Sequence, residues 1–323
     1  MKAIICRELG GLDKLSFEDI DEPTAGPGEV VVAVKVAGLN FFDALMIAGK
    51  YQYKSALPFS PGAEGAGVIE AVGDGVSGFR VGERVAAYLN NFCREKTAVP
   101  VSRLLPIPDD ITDEQAATLV VTYGMSLHAL KDRAALRAGE TLAVLGAAGG
   151  AGLAAVELGK SMGAKVIACV SSSEKMALAE KHGADGALNY AKEDLREGLR
   201  RLTKGEGVNV VYDPVGGDYS EPALRSLAWG GRFLIVGFAS GTIPKIPLNL
   251  PLLKSCDIQG VFWTPFLERN PAGYRVNMEQ VFSWTKQGKL SAHVDRIFRL
   301  AETAKALGLL IDRKAQGKVL VRI

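Results

Sequence analysis

The chain has little of what marks several whole classes of protein. Its 323 residues include only four cysteines, Cys6, Cys93, Cys169 and Cys256, far apart and in no CxxC or CxH spacing. That argues against a disulfide framework and a multi-cysteine zinc site, and fits reduced thiols in a cytoplasmic protein. Histidine is scarcer: His128, His182 and His293 are scattered, each read as a core or surface residue rather than a ligand. Basic runs are short, and 38 Lys and Arg balance 36 Asp and Glu. No nucleic-acid or membrane-surface partner is expected. Long apolar runs are missing too. The charge-free stretch Thr141–Val156 falls short of the roughly 18–20 residues of a bilayer span, and glycines interrupt it. The opening MKAIICRELGG lacks the apolar core of a signal peptide.

What is abundant is glycine. There are 37, well above the usual level of roughly 7% of residues, and they cluster, so they read as positional. A hydrophobic share of 48% and a charged share of 23% describe a soluble globular chain. At roughly 150 residues per domain, the length suggests two domains.

Texture changes along the chain. Residues 1 to about 120 carry short alternating runs such as Glu29–Val36, Gly67–Val72 and Glu83–Ala87 between Gly- and Pro-rich turns, the pattern of a β-rich, barrel-like domain. Phe41–Ala48 reads as a short helix. From about 120 to 260, strand-like runs alternate with helical ones. Thr141–Leu145, Lys165–Val170, Ala187–Tyr190, Val208–Tyr212 and Arg232–Val236 are strands, and Ala151–Met162, Glu174–His182, Leu195–Thr203 and Tyr219–Leu227 are helices. Alternation of this kind predicts parallel βαβ units in a doubly wound sheet. Val276–Gln287 and Ala301–Asp312 read as helices, and Gly317–Ile323 as a strand completing the first domain.

The most specific local signal is Thr141–Gly152, a strand running through glycines into a helix. Gly146 permits the tight turn, Gly149 and Gly150 allow close approach of a pyrophosphate, and Gly152 allows close helix packing. Phosphates would sit on Ala148, Gly149, Gly150 and Ala151 at the helix N-terminus. After the second strand comes Ser171-Ser172-Ser173-Glu174-Lys175, without the strand-end carboxylate that receives the ribose of NAD. Ser172 and Lys175 favour NADPH, provided Glu174 points away. Ser172 also reads as a helix cap and Lys175 as a solvated helix residue.

The stretches Ala37–Asp43, Pro61–Gly73, Val81–Val85, Val121–Leu130, Val144–Gly152, Ala187–Tyr190, Val210–Gly217 and Gly230–Gly241 together resemble the zinc-independent quinone oxidoreductases of the medium-chain dehydrogenase/reductase superfamily. The resemblance covers essentially the whole chain. It implies an α/β protein with a GroES-like β-rich catalytic domain, residues 1–120 and 261–323, around a Rossmann domain, residues 121–260, with NADPH between them. It further implies that Ser172, Lys175 and Tyr190 surround the 2′-phosphate. Main-chain groups of Gly237, Phe238 and Ala239 would flank the nicotinamide, as would Val261, Phe262 and Trp263. A homodimer is implied, pairing edge strands near Phe233–Val236 and Ile258–Val261.

Zinc-dependent relatives carry a cysteine near residues 38–40 and a Gly-His-Glu motif. Here stand Gly38-Leu39-Asn40 and Gly62-Ala63-Glu64, so no metal is expected. Hydride transfer then suits an acceptor that is already electrophilic: a quinone, or alternatively the activated C=C bond of an enone, a 2-haloacrylate or an enoyl-thioester. Charge develops on the acceptor's oxygen and calls for a donor. Asn40 is the first candidate, with capping of the helix at Phe41 as its other reading. Tyr51 is the second, supplying a proton or only packing. Asp43 reads as a cap or ion-pair residue and Tyr123 as structural. Leu45, Met46 and Met125 stand where many relatives place hydroxyls, which makes the pocket more apolar. A non-catalytic NADPH-binding role is the remaining reading, open because a fold does not dictate a function.

Overall fold

The computed structural model describes residues 1–323, in two compact units. In chain order the strands of the first part are β1 (Lys2–Cys6), β2 (Leu15–Asp19), β3 (Glu29–Leu39), β4 (Glu64–Val72), β5 (Arg84–Tyr88), β6 (Lys96–Pro100) and β7 (Leu104–Pro106). Then come β8 (Thr141–Leu145), β9 (Lys165–Val170), β10 (Gly186–Asn189), β11 (Val208–Asp213), β12 (Leu227–Ile235) and β13 (Asp257–Gly260). The chain ends with β14 (Val294–Arg299) and β15 (Lys318–Arg322).

One unit comprises Met1–Val121 and Ala292–Ile323. Its main sheet runs β14-β15-β3-β4-β5-β7, with β6 also on β3, and β1 and β2 form a separate hairpin. This is the GroES-like architecture. The long strand β3 supplies Val30, Val32, Val34 and Leu39 to a core shared with Ile69, Val85, Val99, Leu104, Val319 and Val321. Burying such branched side chains contributes roughly 1.5–3 kcal/mol each, so β3 anchors the unit. The terminal strand β15 lies antiparallel to it, with Val319 opposite Leu39. Gly38 on β3 has no room for a side chain: a Cβ would lie 2.5 Å from the Ala117 carbonyl oxygen and 2.7 Å from Glu64 Cγ. That bareness lets Glu64 reach across the strand.

The other unit, Thr122–Ser291, holds a six-stranded parallel sheet in the order β10-β9-β8-β11-β12-β13. The chain steps outward from β8 to β10, returns to β11 beside β8, and steps outward the other way. This is the Rossmann order, with its crevice at the β8/β11 reversal. Leu142, Val144, Val166, Ala168, Val210 and Val211 are fully buried, as expected of strands covered on both faces.

Some expectations need correction. The second unit extends to Ser291 instead of ending near residue 260, because residues past 260 bond within it: Asn277 Oδ1 accepts Lys131 Nζ at 2.8 Å and Asn277 Nδ2 donates to Asp132 Oδ2 at 2.7 Å. Phe233–Val236, expected at a dimerising edge, belongs to an interior strand: β12 bonds both β11 and β13, so the edge is β13. The helix expected over Tyr219–Leu227 spans only Ser220–Arg225, and Leu227 already opens β12. The helix expected from Val276 begins at Pro271, with Asn270 capping it through Gly273 N–H at 2.9 Å.

Candidate functional site

In the Rossmann unit the expected cofactor residues all follow the C-terminal ends of parallel strands, on one edge of the sheet. The loop Ala148–Ala151 follows β8, Ser172 and Lys175 follow β9, and Tyr190 follows β10. Gly237, Phe238 and Ala239 follow β12, and Phe262 and Trp263 follow β13. Gly146 takes φ +59°, a left-handed turn that favours glycine. A Cβ on Gly152 would stand 2.2 Å from the Gly146 carbonyl oxygen, so the turn closes onto the helix only with glycine there. The helix Gly150–Ser161 starts behind Gly149 with no capping side chain. Its first N–H groups are thus open to an anion, as a dinucleotide's phosphates require.

The next two strand ends converge. Val170 on β9 is in register with Asn189 on β10, and Tyr190 N–H donates to the Val170 carbonyl at 2.9 Å. Ser172 caps its helix, accepting Lys175 N–H at 3.3 Å, and Lys175 Nζ lies 3.4 Å from Ser171 Oγ. Burial lowers the Lys175 ammonium below its ordinary pKa, as for a cation set partly into the surface. Tyr190 packs against Tyr219 with ring centroids 4.4 Å apart. Beside it Asn189 is buried, and its Nδ2 has no partner. Hydroxyls, a cation and an orphaned donor fit a ribose phosphate. Glu174 does not turn away as expected: Ser172 Oγ lies 3.4 Å from its Oε2, so a phosphate there requires this exposed side chain to rotate outward.

Beyond β11 and β12, Asp213 ties the loops. Its Oδ1 accepts Val215 and Gly216 N–H, each at 2.8 Å, and its Oδ2 accepts Ser220 Oγ at 2.6 Å. Burial still holds its pKa above the usual range. Gly237 N–H and Ala239 N–H donate to the carbonyls of Asp213 and Pro214, at 3.2 and 3.0 Å. The Trp263 ring is 5% exposed and packs edge-on to Tyr274 at 5.5 Å, so only its main chain can serve a ligand. Phe262 is exposed.

Asn40 and Tyr51 belong to the GroES-like unit. Asn40 is the N-cap residue of the helix Phe41–Ile47, and Asp43 in its first turn closes the cap: its Oδ2 accepts Asn40 N–H at 2.7 Å. The Asn40 carboxamide lies in a buried cluster. Its Oδ1 accepts Lys318 Nζ at 2.8 Å, and its Nδ2 donates to Glu64 Oε1 at 2.9 Å. Lys318 Nζ also donates to Glu64 Oε1, while Glu64 Oε2 accepts Val121 N–H at 2.7 Å. Tyr51 stacks on Phe42 with centroids 5.3 Å apart. Burial, with Tyr88, Asp43 and Tyr53 adding, raises the pKa of its hydroxyl, so Tyr51 keeps its proton.

Sequence reasoning missed two clusters. Lys318 reads as one residue of a terminal strand, with nothing local to link it to Asn40. In the Rossmann unit, Glu157 accepts from His182 Nδ1 (2.6 Å), Tyr123 Oη (2.8 Å) and Ser291 N–H (2.9 Å). Burial pushes its carboxyl up, but these bonds outweigh burial and hold it below the usual range. Tyr123 is thereby structural, as expected.

No three His, Cys, Asp or Glu side chains converge on a point that would hold a metal ion. Glu64, the remnant of the Gly-His-Glu motif, is engaged by an ammonium, so the residues present do not fit zinc.

Asp43 gives a testable pH dependence. It is wholly buried, and burial, the largest influence, raises its pKa to about 7 despite bonds from Asn40 and Gly62 N–H. The folded chain therefore holds a proton that the unfolded chain releases near pH 4. The contribution of Asp43 to stability therefore falls as pH rises from about 4 to about 7 and is level above that. Denaturant titrations across this range should show the stability of the parent falling relative to that of Asp43→Asn. Parallel curves would overturn the assignment.

Comparison with known proteins follows the same division. Residues 26–108 match the alcohol dehydrogenase GroES-like domain, and residues 150–276 match the zinc-binding dehydrogenase domain. The chain is 36% identical to quinone oxidoreductase-like protein 2 of Rattus norvegicus, over 100% of this chain and 92% of that protein. It is 34% identical to a quinone oxidoreductase of Pseudomonas aeruginosa, over 99% of both. The crystal structure of Escherichia coli quinone oxidoreductase complexed with NADPH superposes with a TM-score of 0.93 at 28% identity, covering 100% of both chains. With the GroES-like sheet, the Rossmann strand order and the glycine turn, these likenesses establish that the chain belongs to the quinone oxidoreductase family of the medium-chain dehydrogenase/reductase superfamily.

Proposed function

We propose that the protein is an NADPH-dependent reductase that passes a hydride to a quinone without a metal. The observation that carries the cofactor reading is the meeting of Ser171, Ser172, Lys175 and Tyr190 at adjoining strand ends, one strand from an uncapped helix N-terminus. The quinone acceptor is supported by the names of the relatives. The bound dinucleotide supplies the hydride. The chain's residues do the rest. The first turn of Gly150–Ser161 holds the pyrophosphate, and Lys175 with the serines holds the 2′-phosphate. The main chain at Gly237–Ala239 and at Phe262–Trp263 orients the nicotinamide. Asn40 Nδ2–H donates to the acceptor oxygen as negative charge develops there. Tyr51, which keeps its proton, lines the acceptor side as a packing residue and hydrogen-bond donor.

We further infer a homodimer through β13. This strand leaves one edge of the Rossmann sheet unpaired, and Leu248, Leu252 and Leu253 are exposed just before it. An open edge beside apolar surface is a template for pairing with a second copy.

These readings predict three outcomes. Lys175→Ala should raise the KM for NADPH at least tenfold, which corresponds to roughly 1.4 kcal/mol, and leave that for NADH nearly unchanged; equal effects would sink the 2′-phosphate assignment. Asn40→Ala should lower kcat with 1,4-benzoquinone or 9,10-phenanthrenequinone by about 10²-fold, the cost of losing one oxyanion donor, with cofactor affinity kept. In the same assay at 340 nm, faster turnover of an alkyl vinyl ketone, 2-chloroacrylate or crotonyl-CoA would replace the quinone by a C=C acceptor. Sedimentation velocity should give twice the chain mass of 34.3 kDa; a monomer at micromolar concentration would rule out the dimer.

A further inference from the structure

We propose that Lys318 is a positioning residue for Asn40: its ammonium fixes the orientation of the carboxamide and polarises it, so that the remaining Nδ2–H is a stronger donor to the acceptor oxygen. The proposal rests on the reading of Asn40 as that donor.

The geometry makes the orientation unambiguous. A carboxamide accepts only at oxygen and donates only at nitrogen, an ammonium only donates, and a carboxylate only accepts. Lys318 Nζ stands 2.8 Å from Asn40 Oδ1, and Glu64 Oε1 stands 2.9 Å from Asn40 Nδ2. A flip would set N–H against ammonium and carbonyl against carboxylate. Glu64 is itself fixed by Val121 N–H at 2.7 Å. Of the two Nδ2 hydrogens, Glu64 takes one, and no protein group takes the other. A cation on the amide oxygen draws charge from the nitrogen, and hydrogen bonds linked in this way strengthen one another in a low-dielectric site.

Burial favours this role over a stabilising one. Lys318 is 2% exposed and Glu64 is 0% exposed. Desolvating two charges this deeply offsets most of their attraction, so such a pair adds little net stability compared with apolar residues of the same size. The unit nevertheless carries a charged pair joined to the carboxamide read as the donor. Asp43 is the other ionisable group whose charge reaches Lys318, and its own oxygens are committed to Asn40 and Gly62 N–H.

The test is a double-mutant cycle on kcat between Lys318→Met and Asn40→Ala, with the parent. Lys318→Met should lower kcat about tenfold with little change in the KM for NADPH, and should have no further effect in the Asn40→Ala background, because coupled residues are non-additive. The same loss in both backgrounds, or none in the parent, would overturn the positioning role and leave the donor reading standing. An unchanged kcat in Asn40→Ala alone would overturn both. Should Lys318→Met fail to fold, Lys318→Met/Glu64→Gln replaces it in the cycle. This variant keeps the cluster neutral, and Val121 N–H draws the new amide oxygen, leaving its NH2 toward Asn40. If no acceptor is turned over, asparagine-selective 15N spectra decide. The Asn40 side-chain N–H signal should move upfield in Lys318→Met, and an unmoved signal would overturn the proposal.

Discussion

A carboxylate removed from water must be met by donors, and in the GroES-like unit this requirement organises the site. Glu64 opens β4 with no solvent exposure. Its two oxygens gather an ammonium from β15, a carboxamide from the turn after β3 and the N–H of Val121. Segments distant in sequence thus meet on one group. Gly38 makes the meeting possible, because any Cβ there would occupy the space of the Glu64 side chain. Removing one partner would leave an uncompensated buried charge, which costs far more than the intact pair contributes.

The Rossmann unit applies the same physics to a different end. Glu157, on the glycine-loop helix, gathers His182, Tyr123 and Ser291 and fixes that helix from its far side. Its N-terminal turn is left without a capping group. A helix held along its length and open at its positive end is suited to anions. Glu157 lies in the second half of this helix, away from its open first turn.

How far the site could be read in advance depended on how local its determinants are. The glycine turn, the Ser172 cap and the strand–helix alternation are set within a few residues, and these were legible. The meeting of Ser172, Lys175 and Tyr190 needed the order of β9 and β10, which the family pattern supplied. Edge and interior strands were confused at Phe233–Val236 because a strand's exposure depends on its neighbours, not on its residues. Trp263 offered no sign that its ring turns inward against Tyr274.

The chemistry available is written in local residues: a glycine-rich turn before a helix, hydroxyls and a lysine where a carboxylate would favour NAD, and the missing cysteine and histidine of a zinc site. Backbone freedom and ligand chemistry belong to individual residues, so they can be read without a fold. The tertiary structure alone places the Asn40 carboxamide between Lys318 and Glu64. Asn40 lies 278 positions from Lys318 along the chain and 2.8 Å from it in space. The antiparallel pairing of β15 with β3 brings them together, and no local pattern encodes a pairing across that distance.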